Sequence, residues 1–261
     1  MNFETKIESG LQCVIRLIHR PSVQELDRDL FFKELQNTDI VEIQYSNSSG
    51  VAVLLTKLIA KCLLPSSCNG LNMHVILVNT ENQFQVSQLV RVMRVEACDV
   101  LGPTDVGDMV KNILNNLRII NCYNHHQVLL TLNSLDDLLL QNKKVGLVVI
   151  DSASAYFWQN KTDLSYNSYL AKILTIIEKK ISYFKVLTLY TKQFNFISKK
   201  QTREWLEIQK LVRYELSLDV NEKNLICTSR SGKNEKQISY VVDNLGIMRL
   251  VEKTNNKSSD T

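Results

Sequence analysis

Val145-Gly-Leu-Val-Val-Ile-Asp151 is an uncharged apolar run closed by one aspartate. That is the pattern of a central parallel strand, buried on both faces and surfacing at its carboxyl end. Working upstream, residues 40–45 alternate as a strand, 46–50 form a polar small-residue turn, and 51–64 read as a helix stopped by Pro65. Residues 73–78, 117–122 and 186–190 supply three more strands. Helical spacing over 86–95, 128–141 and 170–183 supplies the intervening helices, and an amphipathic helix over 10–19 opens the chain. Five strands alternating with helices predict an α/β fold, a central mostly parallel sheet flanked by helices. Past Thr202 the pattern changes to strand-like segments at 211–220, 224–229, 237–242 and 247–251, joined by short polar turns, which predict a C-terminal antiparallel edge. No repeat or long linker divides the chain. One domain over 1–251 with a polar, disordered tail at 252–261 is expected.

Composition narrows the function classes. The chain has 261 residues, 44% of them hydrophobic and 22% charged, which is enough to build a core without disulfide or metal staples. Only 8 Gly and 3 Pro argue against a turn-rich all-β fold. The opening MNFETKIESG carries acids where a secretion signal would be basic and then apolar, and no apolar stretch reaches the roughly 18 residues of a membrane span. A soluble intracellular protein is expected. Cysteines 13, 62, 68, 98, 122 and 227 lack CxxC or Cys/His ligand spacing, so neither zinc nor disulfides are expected. A net charge of +4 is too small to imply nucleic acid by itself.

In an open parallel sheet, ligands sit at the carboxyl ends of strands, here the loops after Tyr45, Val78, Ile150 and Tyr190. The first loop, Tyr45-Ser-Asn-Ser-Ser49-Gly50-Val51-Ala52, occupies the place of a phosphate-binding loop, Gly-x4-Gly-Lys-Ser/Thr. Tyr45 stands at the first glycine, Val51 at the lysine and Ala52 at the magnesium-binding hydroxyl; only Gly50 remains. Two lost charge-assisted contacts at roughly 1.5–3 kcal/mol each weaken triphosphate binding by on the order of a hundred- to ten-thousand-fold. An ordinary strand-to-helix turn without nucleotide is therefore expected, so no cofactor, with ATP and magnesium only weakly held. The run ending at Asp151 has the form of a Walker B segment, in which the aspartate serves either as a magnesium ligand or as a loop anchor. Glu81 follows the second strand where a general base would stand, and Lys192-Gln193 follows the fifth as a candidate sensor of phosphate or DNA.

With these loops placed, the chain resembles the RecA-like recombinase core, and more closely its eukaryotic DNA-repair paralogues. The resemblance is carried by Glu42-Ile-Gln44 with the segment from Thr56 to Pro65, by Leu129 to Leu135, by Val149-Ile-Asp-Ser-Ala-Ser-Ala-Tyr-Phe-Trp158, and by Trp205 upstream of Leu211-Val-Arg213. It implies a RecA core without the small helical domain that precedes it in full-length recombinases. It also implies a nuclear subunit of a recombinase-paralogue complex, acting on single-stranded or branched DNA in homologous-recombination repair of double-strand breaks and at stalled forks. Its partners would be a sister paralogue and, through it, the strand-exchange recombinase. Position by position, Asp151 matches the Walker B aspartate, Glu81 the catalytic glutamate and Gln193 the sensor glutamine. The phosphate-loop lysine and hydroxyl have no counterpart, so a non-catalytic binding subunit is expected; the alternative is a DNA-dependent ATPase whose atypical loop is completed by a neighbouring subunit. The family's DNA-facing loops fall at 159–168 and 194–203. In the second, Phe194 and Phe196 lie beside Lys199, Lys200 and Arg203, aromatics for bases next to cations for phosphates. Trp158 and Trp205 read as core or partner-interface anchors.

Overall fold

The strands expected from the sequence join one mixed sheet. A computed structural model describes residues 9–10, 19–46, 48–101, 106–159, 165–193, 206, 210–221 and 224–251. In chain order these form β1 (Ile40–Tyr45), α1 (Ser48–Leu63), β2 (His74–Asn79), α2 (Val86–Leu101), α3 (Val106–Leu114), β3 (Leu117–Asn121), α4 (His125–Asn133), α5 (Leu135–Gln141), β4 (Val145–Asp151), α6 (Tyr166–Phe184), β5 (Leu187–Gln193), β6 (Val212–Asn221), β7 (Asn224–Ser231), β8 (Asn234–Val242) and β9 (Met248–Leu250). The sheet order is β3-β2-β4-β5-β1-β6-β7-β8-β9. Ladders from β3 through β6 are parallel, and those from β6 to β9 antiparallel. The helix expected over 10–19 and the tail at 252–261 lie mostly or wholly outside the described residues.

Strand alternation sorts the core into two layers. Val41 and Ile43 of β1, Leu77 of β2, Leu147 and Val149 of β4 and Leu189 of β5 pack under Leu54 and Leu58 of α1, Leu89 and Met93 of α2 and Val110 of α3. On the other face Val78, Val148, Ile150 and Tyr190 meet Val128 and Leu132 of α4, Leu139 of α5, and Leu170, Ile173 and Leu174 of α6. All seven residues of β4 are buried, as its unbroken apolar run predicts.

Four elements differ from expectation. Helix α1 starts at Ser48, so Gly50 lies in its first turn rather than in the preceding loop. The span 128–141 is two helices. Asn124 caps α4 by accepting from the Gln127 N–H at 2.9 Å, and α4 ends where the Ser134 hydroxyl donates to the Thr131 carbonyl at 3.0 Å, a local bond that competes with the helical ladder. Helix α3 was not expected, although its apolar residues at 106, 109, 110, 113 and 114 keep helical spacing; it is only nine residues long and carries Gly107. Strand β5 runs on to Gln193, which places Lys192 inside the sheet.

After α1 the chain doubles back tightly. Amides of Gly70, Leu71, Asn72 and Met73 donate to carbonyls of Pro65, Lys61, Leu64 and Cys62, which satisfies the helix end. A Cβ on Gly70 would stand 1.9 Å from the Leu64 carbonyl oxygen, so this turn admits only glycine. No helix among the described residues is long and apolar enough to cross a membrane.

Candidate functional site

The carboxyl ends of β1, β2, β4 and β5 bring Tyr45, Glu81, Asp151 and Gln193 to one edge of the sheet. Thr80 and Glu81 follow directly on β2, and their amides donate to the Asp151 carbonyl at 2.7 and 3.2 Å. The Thr80 hydroxyl donates to the Ser152 carbonyl at 2.9 Å and accepts from the Ser152 amide at 2.5 Å, across the cis peptide between Asp151 and Ser152. Ala153 donates to the Thr191 carbonyl at 2.9 Å, and the Gln193 amide donates to Ser154 Oγ at 3.2 Å. The β4 exit is thereby joined to both neighbouring strands.

Asp151 is 6% exposed and its Oδ1 accepts from Thr191 Oγ1 at 2.7 Å. Burial raises its carboxyl to about 6; the Thr191 bond opposes that shift and the Glu81 charge adds to it. Burial also raises the Glu81 carboxyl, against the bond from Tyr45. Tyr45 is 4% exposed, and its hydroxyl donates to Glu81 Oε1 at 3.4 Å. The phenol therefore stands over the carboxylate that the sequence offers as general base. Desolvation, followed by the Glu81 charge, keeps it protonated.

At the start of α1 the environment is apolar. Val51 is buried in the core, Ala52 is half-buried, and Ser49 is exposed. A Cβ on Gly50 would meet Leu225 Cδ1 at 2.7 Å and Val220 Cγ2 at 3.0 Å, so β6 and β7 pack directly on this glycine. A cavity of about 260 Å³ beside it is lined by Ser49, Gly50, Val53, Val220, Asn224, Leu225 and Val242, without a cation.

Other expected site residues fare differently. Lys192 is no surface sensor: alternation along β5 turns Thr191 toward Asp151 and Lys192 to the opposite face, where it is fully buried with Nζ 2.8 Å from Glu42 Oε1. Trp158 is not in the core. It is 63% exposed and packs edgewise on Phe157 with ring centroids 4.8 Å apart, and Phe157 in turn meets Tyr166 and Tyr169. Phe194, Phe196, Lys199, Lys200, Arg203 and Trp205, along with 160–164 of the first loop, lie outside the described residues. Among the described residues no group of three or more His, Cys, Asp or Glu could hold a metal ion. The sequence reading missed two features, the buried Tyr45 ring with its hydroxyl on Glu81 and the Glu42–Lys192 pair. The signals were present as a bulky ring at a glycine position and charges inside apolar strands.

Residues 14–206 match the family model described as Rad51. The chain belongs to the Rad51 family. This match spans β1 through β5 and so contains every strand end described above. The Rad51-family chain is also similar to a mouse protein, DNA repair protein XRCC2, with 29% identity over 195 residues that cover 72% of this chain and 68% of that one. Its strand order and C-terminal antiparallel edge are those of a RecA-like α/β fold, as the resemblance implied.

Proposed function

We propose that this chain is a Rad51 paralogue of DNA repair that works by binding rather than by turning over nucleotide. Kinship to the Rad51 family and to a DNA repair protein supports the repair assignment. The observation that carries the binding role is the state of the phosphate loop. The Tyr45 ring is buried at the first glycine position with its hydroxyl on Glu81, Gly50 is covered by Val220 and Leu225, and Val51 lies in the core. These residues do not fit a triphosphate with magnesium: among the described residues of the loop no cation stands where the phosphate-loop lysine would, position 52 offers no hydroxyl to a metal, and a buried phenol replaces the first glycine. Asp151 remains able to ligate magnesium, but Thr191 already holds one of its oxygens.

On this reading the protein is a nuclear subunit of a recombinase-paralogue complex in homologous recombination, at double-strand breaks and stalled forks. It docks to a sister paralogue and contributes to holding DNA, with Phe194, Phe196, Lys199, Lys200 and Arg203 as the contact residues. The convergence of Glu81, Asp151 and Thr191 supports a second reading, an ATPase completed by a lysine from the neighbouring subunit. Two measurements on the assembled complex separate them. Calorimetry with magnesium and ATP should find no tight site on this subunit, and Glu81→Gln should leave complex turnover unchanged. A tight magnesium-dependent affinity, or turnover abolished by Asp151→Ala, overturns the binding role.

A further inference from the structure

A charged pair sits inside the sheet where apolar residues would be expected. Glu42 and Lys192 have side chains 3% and 0% exposed, with Nζ 2.8 Å from Oε1. Gln44 Nε2 donates to the same Oε1 at 2.5 Å, and the Tyr190 hydroxyl donates to Oε2. The carboxylate thus has partners on both oxygens, as a buried charge requires. Glu42 and Gln44 belong to β1, Tyr190 and Lys192 to β5.

In the β1–β5 register Glu42 stands opposite Tyr190, Gln44 opposite Lys192, and Tyr45 opposite Gln193. Lys192 therefore reaches diagonally across the ladder, and the four side chains interlock the two strands just before they end. A slip of one residue would turn both charges to the apolar α1 face, so the pair fixes the register. Apolar replacement of a buried pair is commonly neutral or better for stability, so stability alone does not account for it. On the third strand, Glu215 of β6 stands opposite Glu42. Burial raises its carboxyl, Glu42 adds to that, and Lys192 and then Arg230 oppose it. Lys192 on β5 thus faces carboxylates on both β1 and β6.

Register delivers the site. It sets Tyr45 where its hydroxyl meets Glu81, and it sets Gln193 where its amide meets Ser154 and its carbonyl accepts from the Tyr166 hydroxyl at 3.4 Å. We propose that Glu42 and Lys192 are a positioning pair that holds the carboxyl ends of β1 and β5 side by side without a bound ligand to bridge them. The proposal rests on the reading that the phosphate loop holds no nucleotide here.

The test is amide hydrogen exchange on the full chain, read at Ala153 and Gln193. In the nucleotide-free wild type both amides should exchange as slowly as the most protected core amides, through global unfolding. Faster exchange by local fraying in the wild type overturns the proposal, whatever the variants do. Combining Glu42→Leu with Lys192→Met should leave the urea midpoint near wild type yet speed exchange at both amides by about tenfold or more. The reversed pair, Glu42→Lys with Lys192→Glu, should restore part of the protection. Unchanged exchange in a folded apolar double variant overturns the proposal. Tight nucleotide binding with fully protected amides would sink the binding role and leave the positioning pair standing.

Discussion

At the scale of single residues, the site is a set of groups whose burial conflicts with their charge. The Asp151 carboxyl is raised from its ordinary value to about 6, so the folded chain binds this proton more tightly than the unfolded one. Its contribution to stability is therefore fully present below the unfolded value near 4, and is lost as pH rises through 6. That displacement corresponds to at most about 3 kcal/mol. Asp151→Asn keeps an oxygen for Thr191 and removes the charge, so it should raise the urea midpoint at pH 7.5 and change it little at pH 4. Equal gains at both pH values would assign the effect to packing instead. Tyr45 makes a complementary case. Its bond to Glu81 is long, 3.4 Å, while its ring is buried. Tyr45→Phe should cost under about 1 kcal/mol and Tyr45→Ala about 3–5 kcal/mol in urea denaturation, because the ring fills space that nothing else fills. Asp151 and Glu81 were legible in the sequence because a lone charge after an apolar strand marks a strand end. The roles of Tyr45 and Lys192 were not, because they depend on which face of the sheet each side chain takes.

Between elements, one side chain closes two helix ends at once. The Arg20 guanidinium donates to the carbonyls of Asn142 at 2.6 Å, Leu139 at 2.7 Å, Phe184 at 3.2 Å and Val145 at 3.3 Å. α5 ends at Gln141 and α6 at Phe184, so these include carbonyls that the helices leave without partners and that carry the negative end of the dipole. Burial lowers this guanidinium to about 10, which still leaves it cationic at neutral pH. Arg20→Ala should cost about 2–4 kcal/mol in urea denaturation, after discounting the exposed part of the group. Arg20→Lys should recover less than half, because one ammonium cannot reach carbonyls spread over a planar fork; full recovery would mean that charge alone matters. Strand β4 was legible because a strand covered on both faces must be apolar along its length, and β1 because its residues alternate. The break at Ser134 was less so, since a serine inside a helical pattern gives no sign of where its hydroxyl will bond. Nor does periodicity encode sheet order, and the parallel seat of β6 beside β1 follows from tertiary packing.

For the whole molecule, the sheet order sets β5, β1 and β6 side by side at its centre. Strand β5 ends at Gln193 opposite Tyr45 of β1, and Phe194, Phe196, Lys199, Lys200 and Arg203 come next in the sequence. If this subunit helps hold single-stranded DNA, cations and rings there must leave different signatures. Replacing Lys199, Lys200 and Arg203 by Ala in the assembled complex removes up to three phosphate contacts. The slope of log affinity against log salt should then become shallower by about 2, at roughly 0.7 per contact. Replacing Phe194 and Phe196 by Ala removes stacking, at about 1–3 kcal/mol per base, and should lower affinity at every salt concentration while leaving that slope alone. Fluorescence anisotropy with a labelled oligothymidylate, titrated across salt, measures both quantities in one experiment. An unchanged slope and affinity in both variants would remove DNA from the proposed role and leave only the proposed docking to a sister paralogue. A shallower slope with no stacking loss would instead describe a subunit that attracts the strand electrostatically and leaves the bases to its neighbours.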